Sequence, residues 1–416
     1  MRLFFEIFST VFGAIFLLGY FYQVVYVLVV LLKKGKSYPE AEPKNYGILI
    51  AARNESAVIG HLIDSIKNQK YPQDKLKLFV VADNCTDNTA EICREKGATV
   101  YERQNKEQIG KGYALDFLLK NIFAANLDEN IEAFFVFDAD NVLDENFIFE
   151  MNKAYSAGNR VITSYRNSKN YGDNWISAGH GLWYVRESKF LNEARMKLGT
   201  TCAVSGTGFL FDKNIVKEEN GWKYHLLIED IEFSSDLICS GEKIAYCPTA
   251  MLYDEQPTKF GVSWRQRTRW AKGFFQIFRR YAGKLFVNIF KRKSFSCFDM
   301  FMTVSPAVLT TVGTLVGVAG FIYALIFPSE LLKTVTSLLI GGANVYLTGF
   351  IVGAIAMATE HKVIHCSKAK KIGYLFTFPF FMISYIPITV IAAFRKVWWK
   401  PIEHNVGKTL DDIKKD

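Results

Sequence analysis

Two carboxylates separated by one small residue, Asp138-Ala139-Asp140, directly follow the apolar segment IEAFFVF at 131–137. Hard carboxylate oxygens suit Mg²⁺ or Mn²⁺, and either ion can bridge to phosphate oxygens. The small side chain of Ala139 leaves room for a diphosphate. Solvated acidic turns are common, so the triplet alone is a weak signal. Its place after an apolar run strengthens it as a candidate metal and nucleotide site.

A second acidic pair, Glu229-Asp230, is flanked by Ile228 and Ile231. Apolar neighbours that shield a carboxylate raise its pKa toward the range of a useful general base. Such a base can take the proton from an attacking hydroxyl. The alternative is an exposed acidic helix turn, which is common for any Glu-Asp pair.

Polar residues also follow a second apolar run, at Asp83 and Asp87. A carboxylate in this place can accept hydrogen bonds from a nucleotide base or a ribose. For Asp87, an Asx turn or helix N-cap explains the residue equally well. Lys111, between two glycines at the start of a predicted helix, could meet a phosphate together with the helix N-terminus. The glycine spacing of a P-loop is missing, and taken alone this segment is better explained as a flexible turn.

Two later segments complete the candidate residues. Ser205-Gly206-Thr207-Gly208 is small and flexible, and could line a sugar channel or form a simple turn. Gln266, Arg269 and Trp270 form a QxxRW pattern just before a long apolar region. Arg269 could contact a diphosphate and Trp270 could stack on a sugar ring, with membrane-interface anchoring as the alternative. For Trp264 that alternative is preferred.

Alternating strands and helices are expected to position these residues. Helical periodicity alternates with short apolar runs, which predicts strands over Tyr46–Ala52, Lys77–Ala82, Ala98–Glu102 and Ile131–Phe137 and helices over Val58–Asn68, Thr89–Lys96 and Lys111–Asn121. Further strands are predicted at 210–216 and 243–247, with a helix over 226–240 between them. Parallel α/β sheets bind ligands at the carboxyl ends of their strands. The pattern therefore predicts a mainly parallel α/β sheet flanked by helices, with the acidic residues at one edge.

Membrane segments are predicted on both sides of this domain. Between Leu3 and Leu32 the only formally charged residue is Glu6, a length that spans a bilayer with some tilt and exceeds a signal-peptide core. The following cluster of Lys33, Lys34 and Lys36 places the next residues in the cytoplasm. An interfacial amphipathic helix is predicted for 264–281, and further spans for 301–327, 335–358 and 372–394.

The last of these stretches breaks the simple topology. Pro379 and Pro387 interrupt it, and basic residues flank both of its ends. One ordinary crossing cannot place both flanks in the cytoplasm. A proline-broken or re-entrant segment can, because irregular backbone is tolerated where protein lines it. We therefore expect a cytoplasmic tail.

Composition supports this organisation. Of 416 residues, 50% are hydrophobic and 22% charged, which indicates one apolar and one mixed region. The net charge of +9 is attributed to the basic flanks and anionic lipid and not to nucleic acid. Seven scattered cysteines without a C-x-x-C pair indicate neither a disulfide framework nor a zinc site.

The chain is expected to divide into five parts. They are an N-terminal transmembrane helix with its basic flank over 1–36, a catalytic domain over 45–255, interfacial helices over 256–296, a transmembrane region over 297–400 and a polar tail over 401–416.

In this order, the motifs resemble those of membrane-integrated family 2 glycosyltransferases of the cellulose, chitin, hyaluronan and poly-N-acetylglucosamine synthase type. The resemblance covers residues 45–290 closely and the flanking spans loosely. It rests on the strings Ala52–Glu55, Ala82–Asp87, Gly110–Leu115, Asp138–Asp140, Ser205–Gly208, Ile228–Asp230 and Gln266–Trp270. The base motif commonly reads Thr-Glu-Asp, whereas Ile228 replaces the threonine here.

The resemblance implies an α/β GT-A domain embedded between transmembrane helices, a UDP-sugar donor, Mg²⁺ or Mn²⁺, and inversion to a β-linked product at the plasma membrane. It implies a role for each candidate residue. Glu55 and Asp83 hold the uridine, and Lys111 and Arg269 lie by the phosphates. Asp138 and Asp140 bind nucleotide and metal, and Asp230 with Glu229 supplies the base. The residues that face the acceptor are Ser205, Gly206, Thr207, Gly208, Gln266 and Trp270.

Three functions fit this pattern to different degrees. A processive synthase would export its polymer, and the few spans would then call for a homo-oligomer or an accessory export subunit. A non-processive enzyme would glycosylate a membrane lipid of the ceramide or diacylglycerol type, and the motifs separate the two poorly. An inactive scaffold would lack a catalytic carboxylate, and none is missing.

Overall fold

The computed structural model describes residues 2–35 and 37–415, so Lys36 of the predicted basic flank lies outside the described residues. The strands within these residues are β1 (Tyr46–Ala52), β2 (Leu76–Asp83), β3 (Thr99–Arg103), β4 (Ala133–Asp138), β5 (Val142–Leu143), β6 (Val161–Ser168), β7 (Phe209–Asp212) and β8 (Ile244–Asp254).

The strands form one sheet in the order β3-β2-β1-β4-β7-β6-β8-β5. The first four are parallel, and β6 and β8 are parallel to each other. Strand β7 is antiparallel to both of its neighbours, and β5 is antiparallel to β8. The sheet is therefore mixed. Its parallel half consists of β3, β2, β1 and β4, the strands whose carboxyl ends were expected to bind a nucleotide.

Most helices before the membrane region flank this sheet. They are α3 (Ile59–Lys67), α4 (Thr89–Glu95), α5 (Lys111–Ala124), α6 (Phe147–Ser156), α7 (Trp175–Arg186), α8 (Glu193–Leu198), α9 (Asn214–Lys217), α10 (Glu229–Ser240) and α11 (Phe260–Lys291). Side chains alternate between the two sheet faces. Ile48, Ile50 and Phe135 pack on one face, while Leu49 and Phe134 pack on the other. Burial on both faces explains why these strands read as continuous apolar runs.

The early strand and helix predictions agree with the structure to within a few residues, but the strand predicted over 210–216 is wrong at its end. Strand β7 stops at Asp212, whose carboxylate accepts a hydrogen bond from the backbone N–H of Asn214 and so starts α9. Val216 is buried on that helix, so its apolar character came from a helix face. Strand β6 and helix α7 were not predicted.

The apolar helices are α1 (Arg2–Tyr20), α2 (Tyr22–Leu32), α12 (Phe295–Val304), α13 (Pro306–Ile326), α14 (Leu331–Glu360), α15 (Lys368–Ile383) and α16 (Tyr385–Phe394), followed by the short α17 (Leu410–Lys415). By length and composition, four helical segments of the described chain could cross a membrane: Leu3–Leu32, Pro306–Ile326, Pro328–Glu360 and Lys368–Phe394. In the most apolar stretch of the last segment 33% of the residues are buried, against 6% in that of Pro328–Glu360. The difference arises because α15 packs on α7 and α16 packs on α11.

The first apolar helix pair is tied to α8 and α12 through the buried carboxylate of Asp299. The guanidinium of Arg195 on α8 donates to Asp299 on α12 at 2.6 and 2.9 Å. The hydroxyls of Tyr22 and Tyr26 on α2 donate to the same carboxylate at 3.0 and 2.6 Å. One carboxylate thus joins three helices from distant parts of the chain.

Candidate functional site

Lys111 is the point where three segments meet at the carboxyl edge of the sheet. It begins α5, after Gly110 with φ of +135°, a conformation that favours glycine. Its Nζ forms an ion pair with Asp138 and donates to the backbone oxygen of Gly206 at 2.8 Å. Burial lowers the pKa of Lys111, but Asp138 and other carboxylates outweigh this and raise it. The lysine is therefore held as a cation.

Asp138 at the end of β4 is positioned by the segment 205–208. The backbone N–H of Asp138 donates to the Thr207 hydroxyl at 2.9 Å, and that hydroxyl donates to Asn141. The Gly208 N–H donates to the backbone oxygen of Val136 at 2.9 Å. Thr207 and Gly208 are thus placed as supports for Asp138. The backbone oxygens of Ser205 and Gly206 accept hydrogen bonds from Arg166 and Lys111.

The acidic pair lies in the first turn of α10, where the helix dipole favours negative charge. Burial raises the pKa of Glu229 and of Asp230, and the neighbouring Asp230 carboxylate raises that of Glu229 further. The backbone N–H of Ile231, the Lys111 ammonium and the backbone of Gly206 oppose this rise for Asp230. The pair is therefore half-buried beside a fixed cation. The space bounded by Glu229, Asp230, Lys111 and Asp138 is called the cleft below.

Helix α11 turns the QxxRW residues toward this pair. Gln266, Arg269 and Trp270 lie at i, i+3 and i+4 and so share one helix face. Burial lowers the pKa of Arg269, while the carboxylates of Glu229, Asp138 and Asp230 raise it. The Oε1 atom of Gln266 is buried and has no hydrogen-bond donor among the described residues.

Arg267, within the same pentapeptide, points the other way. It is fully buried and donates to the Phe381 backbone oxygen at 3.1 Å and the Ser384 hydroxyl at 2.6 Å. Trp270 meets His180 and Tyr184 edge-on, at centroid distances of 5.6 and 6.4 Å. The pentapeptide thus joins the cleft to α15 and α16.

The two predicted uridine contacts have protein partners. Asp83, at the end of β2, accepts hydrogen bonds from Arg103 at 2.6 Å and from Asn84 at 3.0 Å. Glu55 lies 3.0 Å from the Nδ1 atom of His404. Asp87 binds Thr89 and the Ser56 N–H as a local capping residue.

Asp140 lies at the same edge as Asp138 and is buried. Its Oδ2 atom accepts a hydrogen bond from the Glu255 N–H at 2.9 Å. Burial would raise the pKa of Asp140, but His404, Lys169 and other groups hold it below its ordinary value. The described residues contain no group of three or more His, Cys, Asp or Glu that could hold a metal ion. Two carboxylates still fit Mg²⁺, which commonly takes its other oxygens from substrate phosphate and water.

The C-terminal tail covers this edge, which sequence reasoning missed. The backbone N–H groups of Asn405 and Val406 donate to Glu255 at 3.0 and 2.9 Å, and Lys169 donates to the Val406 oxygen at 3.0 Å. Ile413 on α17 packs on Val142 and Tyr253. The polar tail was predicted only as a terminus, because contacts at such sequence separation leave no local signal.

His404 and Glu55 form the centre of this tail contact. Burial raises the pKa of Glu55 to about 7. Burial lowers the pKa of His404, but Asp140, Glu55 and Glu255 outweigh it and raise the pKa to about 10. At neutral pH the imidazolium therefore faces the candidate metal and uridine residues.

Replacing His404 by alanine is expected to loosen the tail. A hydrogen bond to a charged group contributes about 1.5–3 kcal/mol, so amides over 399–409 should exchange hydrogen about tenfold faster or more. Hydrogen–deuterium exchange followed by mass spectrometry measures this. His361→Ala, at an exposed histidine, serves as the control. Unchanged protection of 399–409 in the His404 variant would contradict the expectation.

A second missed group lies on β6 beside the acidic pair. Arg166 donates to Asp254 through Nε at 2.8 Å and to the Ser205 backbone oxygen at 2.9 Å. Its guanidinium lies 3.8 Å from the ring centroid of Tyr184, a cation–π contact. Arg166 thereby fixes the 205–208 segment next to Asp230. No motif in the sequence marks it.

The chain is similar to known glycosyltransferases. A family model described as "Glycosyltransferase like family 2" matches residues 43–273, more than half of the chain. The protein named "Probable glycosyltransferase YdaM" of Bacillus subtilis is 26% identical over 278 residues, 62% of this chain and 61% of its own length. The poly-beta-1,6-N-acetyl-D-glucosamine synthase of Staphylococcus epidermidis is 24% identical over 67% of this chain and 66% of its own length. The chain thus spans less than two thirds of these relatives.

A solved structure resembles most of the chain in its fold. It is a mannosyltransferase from Pyrobaculum calidifontis in complex with GDP-Man and Mn²⁺, with a TM-score of 0.54 and 16% identity. The likeness covers 92% of this chain and 98% of that one. At this identity the likeness bears on the fold alone.

Proposed function

Because this chain belongs to the glycosyltransferase-like family 2, we propose that it transfers a sugar from a UDP-sugar, with inversion, to a growing β-linked polysaccharide. The observation that carries the proposal is the convergence of Asp230 with Lys111 and Arg269 in one half-buried cleft. A base and two cations are what attack by a hydroxyl and departure of a nucleoside diphosphate require.

The proposed mechanism assigns the base to Asp230. Its carboxylate takes the proton from the acceptor hydroxyl as the oxygen attacks the anomeric carbon. Burial raises its pKa, so the carboxylate is a stronger base than a solvated aspartate. Glu229, on the same turn, adds negative charge that favours proton uptake by the pair.

The leaving diphosphate is held from the other side of the cleft. Lys111 and Arg269 are cations that face Asp138, and both can offset the negative charge that develops on the diphosphate. Gln266 supplies a buried amide oxygen for a hydroxyl or water donor. Trp270 offers an aromatic edge and face to the acceptor sugar.

Asp138 and Asp140 are proposed to hold Mg²⁺ or Mn²⁺ with the donor diphosphate. Their hard carboxylate oxygens at the end of β4 fit either ion. When bound, the ion supplies Lewis-acid stabilisation of the diphosphate charge. His404 and Lys169 hold Asp140 ionised before the donor arrives.

UDP-GlcNAc is the first donor to test. The support is the likeness to poly-beta-1,6-N-acetyl-D-glucosamine synthases, at 24–27% identity. Glu55 and Asp83 lie at the ends of neighbouring parallel strands, where a base and ribose fit. Binding there requires His404 and Arg103 to share or release their carboxylates. A lipid acceptor stays the second candidate, because α11, which carries the QxxRW residues, packs on the apolar helix α16.

The proposal is tested by measuring UDP release from a panel of UDP-sugars with Mn²⁺ or Mg²⁺ and with EDTA. We expect release from one sugar nucleotide, loss of release on chelation and recovery when metal is returned. Product size by gel filtration and mass spectrometry then separates polymer, single transfer and glycolipid. No release from any UDP-sugar would overturn the proposal, and glycolipid alone would select the lipid acceptor.

We further propose a multi-pass membrane protein whose catalytic domain and tail both lie in the cytoplasm. The start of 368–394 contacts the catalytic domain through Lys370 and the Gly172 oxygen at 2.8 Å, and the tail that follows 394 contacts it through His404 and Glu55. This supports a broken, non-crossing α15–α16 pair and accounts for its two basic flanks. A homo-oligomer or accessory export subunit stays a prediction.

This topology predicts a labelling pattern. In a variant without native cysteines, Ser329→Cys between α13 and α14 should react with a membrane-impermeant maleimide in intact cells. Lys368→Cys and Lys400→Cys should react only after permeabilisation, as should the reference Glu95→Cys in the catalytic domain. All four positions are exposed. Labelling of Lys400→Cys in intact cells would refute the arrangement.

A further inference from the structure

Glu187 is a carboxylate near the cleft for which the mechanism above has no use. It follows α7 and begins a turn of π-helix, Glu187–Asn192. Such turns occur mostly as single insertions in helices, frequently at functional sites. The residue is half-buried, whereas the next residue, Ser188, is buried and bonds the backbone N–H of Arg166 at 3.1 Å. The backbone at Glu187 is thereby fixed against β6.

Helix geometry directs Glu187 to the side of the cleft occupied by the general base. His180, Tyr184 and Glu187 lie at i, i+4 and i+7 and so share one face. His180 and Tyr184 on this face contact Trp270. Burial raises the pKa of Glu187, nearby arginines oppose the rise, and the negative charge of Asp230 adds to it.

The arginines around Glu187 are engaged elsewhere. Arg166, Arg186 and Arg195 donate instead to Asp254 at 2.8 Å, Gln23 at 2.6 Å and Asp299 at 2.6 Å. Among residues 2–35 and 37–415, no group donates a hydrogen bond to the Glu187 carboxylate. A half-buried carboxylate without a protein donor keeps the accepting capacity of both oxygens for a ligand.

We propose that Glu187 binds hydroxyl groups of the acceptor sugar and so determines acceptor specificity. The inference rests on the proposed function. An ionised carboxylate only accepts hydrogen bonds, and its two oxygens can receive two neighbouring hydroxyls of one sugar ring. Trp270 on the same side is half-buried and offers apolar surface to the ring. This combination fits a hydroxyl-rich glycan better than the single hydroxyl of a diacylglycerol.

The test separates acceptor binding from donor chemistry. The variants are Glu187→Gln and Glu187→Asp, with Glu95→Gln on the exposed surface of α4 as the matched control. UDP release is measured with the most active UDP-sugar, first in water alone and then with rising concentrations of a β-linked N-acetylglucosamine pentasaccharide. For Glu187→Gln we expect release in water to stay within about twofold and the half-saturating oligosaccharide concentration to rise about tenfold. Glu187→Asp keeps the charge and should recover part of the loss.

Each of the other outcomes would overturn either the acceptor contact at Glu187 or the proposed function. An unchanged half-saturating concentration in Glu187→Gln excludes the acceptor contact. If Glu187→Gln lowers UDP release in water and UDP release with oligosaccharide equally, and also lowers the thermal midpoint, Glu187 has a structural role and the inference is excluded. Stimulation of the unmodified enzyme by diacylglycerol vesicles and not by oligosaccharide excludes a glycan at Glu187 while keeping sugar transfer. An unmodified enzyme that releases no UDP overturns the proposed function and this inference with it.

Discussion

Replacing Asp230 by asparagine is expected to lower the rate of sugar transfer between about 10²- and 10⁴-fold, the range that a positioned general base contributes. Asparagine keeps the size of the side chain but cannot take a proton. Donor affinity should change little, because Asp230 is assigned to the acceptor hydroxyl. Steady-state kinetics with donor and acceptor varied separately measures both quantities.

The matched control for this prediction is Asp236→Asn on the same helix. Asp236 binds the hydroxyl of Tyr224 at 3.1 Å and lies 3.3 Å from Lys223, away from the catalytic residues. Its substitution should leave the rate within about a factor of a few, since the ion pair is partly exposed. A rate retained by Asp230→Asn and lost in Glu229→Gln would move the base to Glu229.

The pH dependence gives an independent readout of the same residue. The base acts only when ionised, so the rate falls as pH drops through the pKa of Asp230. Burial raises that pKa, so the acid limb should lie above the value of about 3.9 for a solvated aspartate. Asp230→Asn should remove this limb from the residual rate. An acid limb that persists in the variant would belong to another group.

The second large effect is expected at the buried contact that joins the N-terminal helix to the catalytic domain. Asp299→Asn leaves the Arg195 guanidinium buried without its counter-charge. Removing one partner of a buried ion pair costs about 3–5 kcal/mol. We expect a lower thermal midpoint and loss of monodisperse protein in detergent, both measured by unfolding with static light scattering.

A milder substitution tests whether charge or packing causes this loss. Tyr22→Phe removes one hydroxyl, at 3.0 Å from the Asp299 carboxylate, and leaves the ion pair intact. Its cost should be about 0.5–1.5 kcal/mol, as for one hydrogen bond, or somewhat more for a charged acceptor. If Asp299→Asn costs no more than Tyr22→Phe, the ion pair does not hold the helices together.

Local patterns predicted the parallel half of the sheet. The segments over 46–52 and 131–137 are short apolar runs with polar ends, a pattern that strands buried on both faces produce without help from distant residues. The motifs that follow these strands were therefore expected to lie together, because the carboxyl ends of parallel strands share one edge of the sheet. The GT-A fold expected from the resemblance is confirmed, and the chain belongs to the glycosyltransferase-like family 2.

Non-local contacts account for what sequence reasoning missed. Strand β7 pairs antiparallel with β4 and β6, and no periodicity encodes the direction of a partner strand. The role of Thr207 as a support for Asp138 depends on a 2.9 Å hydrogen bond across 69 residues. Arg103, which holds Asp83, likewise carries no motif of its own.

The sequence by itself determined the candidate residues and the chemistry proposed for them. Asp138, Asp140, Glu229, Asp230 and the QxxRW residues stand in local frames whose apolar neighbours and helix spacing already predict burial and direction. Only the tertiary structure decided how the site is closed and what faces it. The tail reaches Glu55 from His404, 349 positions away, and Glu187 is left without a donor because three arginines bind elsewhere. Periodicity reports on neighbours within a few residues, whereas such contacts exist only once packing has brought distant segments together.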